Sequence, residues 1–241
     1  VSARATGSLL AFIAVVAGVS APIAQIGYGL ADVSVLPAGA VLPTVAADPV
    51  GVSALFYVRV VGAAALIAAA HALLGLLGPD RTRFLPVATQ FGALGGLLLA
   101  LDHLAWPFAV TRLAAIYTDA ADPAAQAAAG VVFEGMTAFL AGGLGSNLGW
   151  VFLAVWGTAL GVAMRRSGRF PLRLGTVGVV LNPLFGLLQW LEWPAPGALG
   201  PLSTVLTVLF FTWLLATGAV LVAARSGSGP APAAASAAGR R

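Results

Sequence analysis

An all-α bundle that crosses a membrane six times is the fold this chain predicts, and three observations predict it. Of its 241 residues, 60% are apolar and 8% are charged, whereas a soluble domain carries about 25% charged residues. Six apolar runs, at 8–30, 55–77, 84–106, 144–164, 172–191 and 202–224, approach the ~20 residues that a hydrocarbon core of ~30 Å demands. The twelve cations, all arginine, also segregate. With both termini cytoplasmic, the inner side receives Arg4, Arg81, Arg83, Arg165, Arg166, Arg169, Arg173, Arg225, Arg240 and Arg241. Only Arg59 and Arg112 fall toward the outside, as the positive-inside rule requires.

Each element follows from these constraints. The first run starts after Arg4, and although Val19-Ser20-Ala21 resembles a cleavage site, the run is long for a signal peptide and reads as a retained span. Residues 31–54 and 107–122 read as outer, Pro/Ala-rich loops. The run at 127–143 is short, contains Glu134 and is interrupted by Gly142, Gly143 and Gly145. A seventh span there would carry the arginines at 165–173 to the outside. Residues 123–140 therefore read as a short outer helix, interfacial or re-entrant, before the fourth span, with Asp122 as N-cap and Pro123 at its first turn. Residues 1–225 form one transmembrane domain, and the Gly/Pro/Ala/Ser composition of 226–241 reads as a disordered cytoplasmic tail.

Composition also excludes chemistry. The absence of cysteine removes disulfides, thiolate nucleophiles and Cys-based metal sites. His71 and His103 lie in different halves of the bilayer, and no His-pair spacing is present, so neither a metal nor another cofactor is expected. The net charge of +4 is explained by topology, not by nucleic-acid binding, since the arginines flank apolar runs. Arginine in place of lysine, with abundant Ala, Gly and Pro, fits a GC-rich bacterial genome and hence a bacterial inner-membrane protein.

Polar side chains at membrane depth are the candidates for function, because an ionisable group at a helix centre costs at least ~2.5–3.5 kcal/mol. Arg59, four residues into the second span, and Asp102, five residues before Pro107, lie at similar depth and are expected to form an ion pair. His103 shares a helical stripe with Gly92 and Gly96. In the fifth span Gly175, Gly178, Asn182, Gln189 and Glu192 follow one side, with Pro183 beside Asn182. Asn147 opens the fourth span, and Gln25 lies near the outer end of the first. Arg59, Asp102, His103, Asn147, Asn182, Gln189 and Glu192 are thus the candidate ligand-binding set. The expected site is an outer-half cavity between the second, third and fifth spans, with Asn182 at its floor and Glu192 near its mouth.

Two stretches resemble a known family. Arg166-Ser167-Gly168-Arg169-Phe170-Pro171-Leu172-Arg173-Leu174-Gly175, after a span running from Gly149 to Gly161, and Phe56-Tyr57-Val58-Arg59-Val60-Val61-Gly62 with its Phe-x-x-Arg element, resemble the bacterial membrane proteins grouped as domain of unknown function 4386. The resemblance implies a six-helix membrane domain and no particular reaction.

Three functions compete. The first is a non-enzymatic membrane protein that packs, binds membrane lipid or a small hydrophobic ligand, or supports a partner. The second is an enzyme acting on an outer-leaflet lipid or isoprenoid, with Asp102 or Glu192 as general acid or base and Arg59 on the head group. The third is a small-solute transporter, hinted at only by Asn182-Pro183. The first requires no missing motif and is the reading adopted. The glycine pairs Gly92/Gly96 and Gly157/Gly161 also suit helix–helix association into an oligomer.

Overall fold

The computed structural model describes residues 1–30, 36–78, 83–192 and 198–223, and among them every regular element is helical. The helices are α1 (Ala3–Pro22), α2 (Ala38–Ala47), α3 (Pro49–Leu77), α4 (Leu85–Ala105), α5 (Thr111–Asp119), α6 (Pro123–Thr137), α7 (Trp150–Ser167), α8 (Leu172–Glu192) and α9 (Gly200–Ala223). Three wider π-helical stretches join or extend them: π1 (Ile23–Gly27) after α1, π2 (Trp106–Val110) between α4 and α5, and π3 (Ala138–Gly149) between α6 and α7. Six of the resulting helical runs are long and apolar enough to cross a membrane, so the chain is a multi-pass membrane protein. The predicted tail, 226–241, lies outside the described residues, as do Arg81 and the arginines beyond 223.

The six long helices pack in the ring order α1, α3, α4, α7, α8, α9, and α9 closes back on α1. Neighbours are antiparallel: Gly62 of α3 meets Val16 of α1, Gly96 of α4 meets the Ala63 carbonyl, Gly92 meets Trp156 of α7, and Gly178 of α8 meets Trp213 of α9. Small residues carry these crossings because, between lipid-immersed helices, close van der Waals approach replaces the hydrophobic drive. The α9–α1 seam is the closest of the approaches to another helix's backbone. A methyl group at Gly7 would come within 2.6 Å of the Gly218 carbonyl oxygen, and one at Gly218 within 2.6 Å of the Gly7 oxygen.

Alternation of direction sorts the charges to two ends. One end, at the start of α1 and at the turns after α3 and α7, carries Arg4, Arg83, Arg165, Arg166, Arg169 and Arg173. The other carries Asp48, Asp119, Asp122, Glu134 and Glu192, with Arg112 as a cation among them. At the arginine end the α7–α8 turn is capped by Gly168 in the left-handed region, φ 66°, where a Cβ would be strained. Arg169 reaches from this turn to donate 2.7 Å to the Leu76 carbonyl, which satisfies one of the exposed last-turn acceptors of α3.

The acidic end is built differently from the sequence expectation. Residues 107–122 are not a loop: the third span runs unbroken from Leu85 to Asp119, 35 residues. Pro107 sits inside π2, where the wider turn absorbs the missing N–H and the ring. Gly142, Gly143 and Gly145 do not interrupt the chain either, since they lie within π3, and Pro123–Ser167 is one helical run of 45 residues. At ~1.5 Å per residue that run is roughly twice the hydrocarbon thickness. The short helix expected before the fourth span is present as α6, with Asp122 accepting 2.9 Å from the Ala124 N–H, but it continues directly into that span.

The overhanging α5 and α6 hold α2, a helix within the stretch expected to be loop, in a cap. Val41, Leu42 and Val45 of α2 bury against Val110, Ala114 and Phe133, forming a second apolar core separate from that of the bundle. Glu134, the charge that argued against a seventh span, accepts 3.1 Å from the Ala38 N–H and so caps the first turn of α2 from another helix.

Candidate functional site

Below the cap, the ring is not filled. A cavity of about 1050 Å³ occupies its acidic-end half, bounded by α1, α3, α4, π3, α8 and α9. That volume is at the upper limit of ~300–1,000 Å³ typical of small-molecule sites. Its deep wall is apolar, with the buried Ile13, Leu66 and Leu99 toward the middle of the bundle. Its polar groups gather nearer the acidic end: Arg59, His103, Asn147, Gln189 and Glu192 all line it.

The opening lies between the first and last spans. The two meet at Gly7 and Gly218, toward the arginine end, while Gly18 of α1 and Val208, Thr212 and Leu215 of α9 line the cavity and are exposed. Beyond the Gly7–Gly218 contact, the cavity is therefore open at the surface that α1 and α9 share.

Arg59 is fixed by three contacts. Its Nε donates to Ser20 Oγ at 3.3 Å and one Nη2 hydrogen to the Ser20 carbonyl at 3.0 Å. The guanidinium carbon also lies 5.0 Å from the centre of the Phe56 ring, a cation–π distance. Phe56 in turn stacks on Trp106 at 4.1 Å and meets His103 edge-on at 6.0 Å. Phe56 and Arg59, the ends of the Phe-x-x-Arg element, are thus one unit across a single helical turn.

The expected Arg59–Asp102 ion pair is not formed. Among the described residues no carboxylate lies within 4.0 Å of the guanidinium, and Asp102 instead places Oδ2 3.5 Å from His103 Nδ1. The reason is steric and local. Asp102 faces α7's extension, where its carboxylate rests against the Cα of Gly145 in π3, so it is buried beside the cavity and does not line it.

Around the rest of the rim, Asn147 Nδ2 donates 3.1 Å to the Gln189 carbonyl, and Gln189 Nε2 donates 2.8 Å to Ser203 Oγ. These bonds fix π3, α8 and α9 at one level. Asn182 is elsewhere. It is fully buried between α8 and α7, donates 2.7 Å to the Gly178 carbonyl and packs its Oδ1 on Gly157. The cavity floor is consequently apolar, and all six spans contribute to its walls instead of the second, third and fifth alone.

Sequence reasoning missed what α1 and α9 supply, because hydropathy makes both look uniform. The signal was present in Ser203, Thr204, Thr207 and Thr212, four hydroxyls concentrated along the acidic-end part of the last span. Thr207 and Thr212 return their hydroxyl hydrogens to the carbonyls four residues back, each at 2.8 Å, which lets them sit at lipid depth without an unpaired donor. Among the described residues no group of three His, Cys, Asp or Glu side chains is arranged to hold a metal ion.

Residues 5–223 match the domain of unknown function DUF4386. The chain belongs to that family. The matched stretch runs through all six spans and the cap. No curated protein and no solved structure matches the chain.

Proposed function

We propose that this DUF4386 protein is a membrane-embedded binding protein for an amphiphile, a lipid or small hydrophobic molecule, that enters sideways from the bilayer. The observation that carries this reading is the cavity of about 1050 Å³ between α1 and α9, apolar in its depth and polar at one level. That layout matches a molecule with a tail and a head, oriented as lipids lie in the leaflet at the acidic end. The arginine distribution supports an outer position for that leaflet and the cap, in a bacterial cell membrane. The protein needs no reactive group for this role.

The test is native mass spectrometry of the full chain released from mild detergent, followed by extraction of whatever remains bound. Thr207→Trp places a large side chain at the cavity wall and should abolish the retained mass while leaving the thermal transition of the protein in place. Retention of the same mass by Thr207→Trp would refute the cavity as the binding site.

A second reading, chemistry on the bound molecule, is favoured by one observation. His103 lines the cavity, and its buried Nδ1, which has no hydrogen-bond partner among the described residues, lies 3.5 Å from Asp102 Oδ2, close enough for a proton-transfer pair to tighten around a bound molecule. A bound mass that changes with time in the native protein and not in His103→Gln would establish it.

A further inference from the structure

The cavity's recognition group is a cation with donors to spare, and its surroundings define what it can receive. Arg59 carries five N–H donors. Ser20 takes the Nε hydrogen and one from Nη2, leaving the Nη1 pair and the second Nη2 hydrogen without a partner among the described residues. Those donors belong to a side chain that lines the cavity. The anchoring by Ser20 and Phe56 holds the fork in one orientation, so little entropy is lost when a ligand engages it.

Charge leads to the same conclusion. The nearest buried acid, Asp102, is turned to His103 and Gly145 and makes no contact with the guanidinium. A guanidinium at this depth is stabilised most by an acceptor that is both charged and planar or tetrahedral, because only such a group takes two of its hydrogens at once. A neutral hydroxyl head would satisfy one.

Building on the amphiphile reading above, we infer that the bound molecule carries an oxyanion head, carboxylate or phosphate, seated on the free edge of the Arg59 guanidinium with its tail along Ile13, Leu66 and Leu99. His103, whose ring lines the cavity beside Arg59, is the second polar neighbour of the head. Glu192, on the opposite helix α8, also lines the cavity.

The experiment uses the full chain in a non-ionic detergent and compares oleate with oleyl alcohol, which have the same tail length and unsaturation and differ in head charge. Oleoyl lysophosphatidate serves as the phosphate form, and acetate and inorganic phosphate as tail-less heads. Oleate and the lysophosphatidate should each bind at least about tenfold more tightly than the alcohol, about 1.4 kcal/mol. Arg59→Gln should bring oleate down to the affinity of the alcohol, and Arg59→Lys should retain part of the difference. Equal binding of oleate and alcohol by the native protein would overturn the oxyanion assignment while leaving the cavity as an amphiphile site. Absence of binding by either would overturn both. Acetate or phosphate binding as tightly as its tailed counterpart would overturn the tail assignment and mark Arg59 as a site for a soluble anion. The native comparison decides the matter even where an Arg59 variant fails to fold.

Discussion

The carboxamide oxygen of Asn182 rests on the Cα of Gly157, with the amide nitrogen donating 2.7 Å to the Gly178 carbonyl one turn earlier. This contact sets the separation of α7 and α8 at mid-membrane, since any side chain at 157 would occupy the space of the carboxamide. Gly157→Ala should therefore destabilise the bundle by ~1–3 kcal/mol through overpacking. Asn182→Ala in the same chain should recover most of that loss. Thermal melts of the two single variants and the double variant give the coupling directly, and additive losses would show that the contact does not govern the spacing.

Ser20 and Arg59 link α1 to α3 at the mouth of the cavity. Ser20→Ala removes the acceptor of the Nε hydrogen and should lower stability by about 1 kcal/mol. In an Arg59→Ala background the same change should cost almost nothing. The Arg59–Asp102 pair should couple more weakly than this one, because no direct contact joins them. A larger coupling for Arg59–Asp102 in parallel double-mutant cycles would contradict the geometry.

Tyr28 and Asp48 lie at the acidic end, just outside the spans. The Tyr28 hydroxyl donates 2.7 Å to Asp48 Oδ2, and the Gly51 N–H donates 2.9 Å to Oδ1, capping α3. The hydroxyl first, and then the amide, hold the Asp48 carboxyl below its ordinary 3.8. A depressed folded value stabilises the fold above the unfolded pKa, and the contribution disappears as pH falls through the folded value, below 3.8. Carboxyl-carbon NMR, with the resonance assigned through Asp48→Asn, should show this low midpoint, and Tyr28→Phe should move it upward. No movement in Tyr28→Phe would mean that the hydroxyl does not bind the carboxylate.

The sidedness of the ring is open to a direct measurement, since the native chain has no cysteine. Ala47→Cys in the cap should react with an impermeant thiol reagent on intact cells. Leu172→Cys, at the arginine end, should react only after the membrane is permeabilised. The opposite pattern would invert the protein and place the cap in the cytoplasm.

Hydropathy and arginine placement made the six crossings legible, because transfer into hydrocarbon is a local property of each run. The cap was not legible for the converse reason. α2 contains Pro43 and only ten residues, so in isolation it reads as loop. Its helicity depends on burial of Val41, Leu42 and Val45 beneath α5 and α6, a tertiary effect. Pro107 and the glycines at 142–145 read from the sequence as places where a helix ends, and the structure does not end a helix at either. They widen the helix into π turns instead of ending it, and the local sequence does not distinguish those outcomes. At the site, Arg59, His103, Asn147, Gln189 and Glu192 were found from polarity at depth and do share the cavity wall. Asp102 and Asn182 have the same polarity, but local packing on Gly145 and Gly157 turns them away.

The meeting of Gly7 with Gly218 has a consequence for biogenesis. Of the six spans, the earliest in the chain is closed against the latest, so roughly two hundred residues must be synthesised between them before the ring can be completed. At ~5–20 residues per second the first helix waits on the order of 10–40 s, with its small-residue face uncovered in the bilayer. Until α9 arrives, α1 is held to the bundle mainly through α3, by Val16 on Gly62 and by Ser20 under Arg59. The bond that positions the guanidinium for a ligand in the finished protein is thus also one of the few that tether α1 during assembly, and the gap through which the cavity opens is the join between the earliest and latest of the six spans.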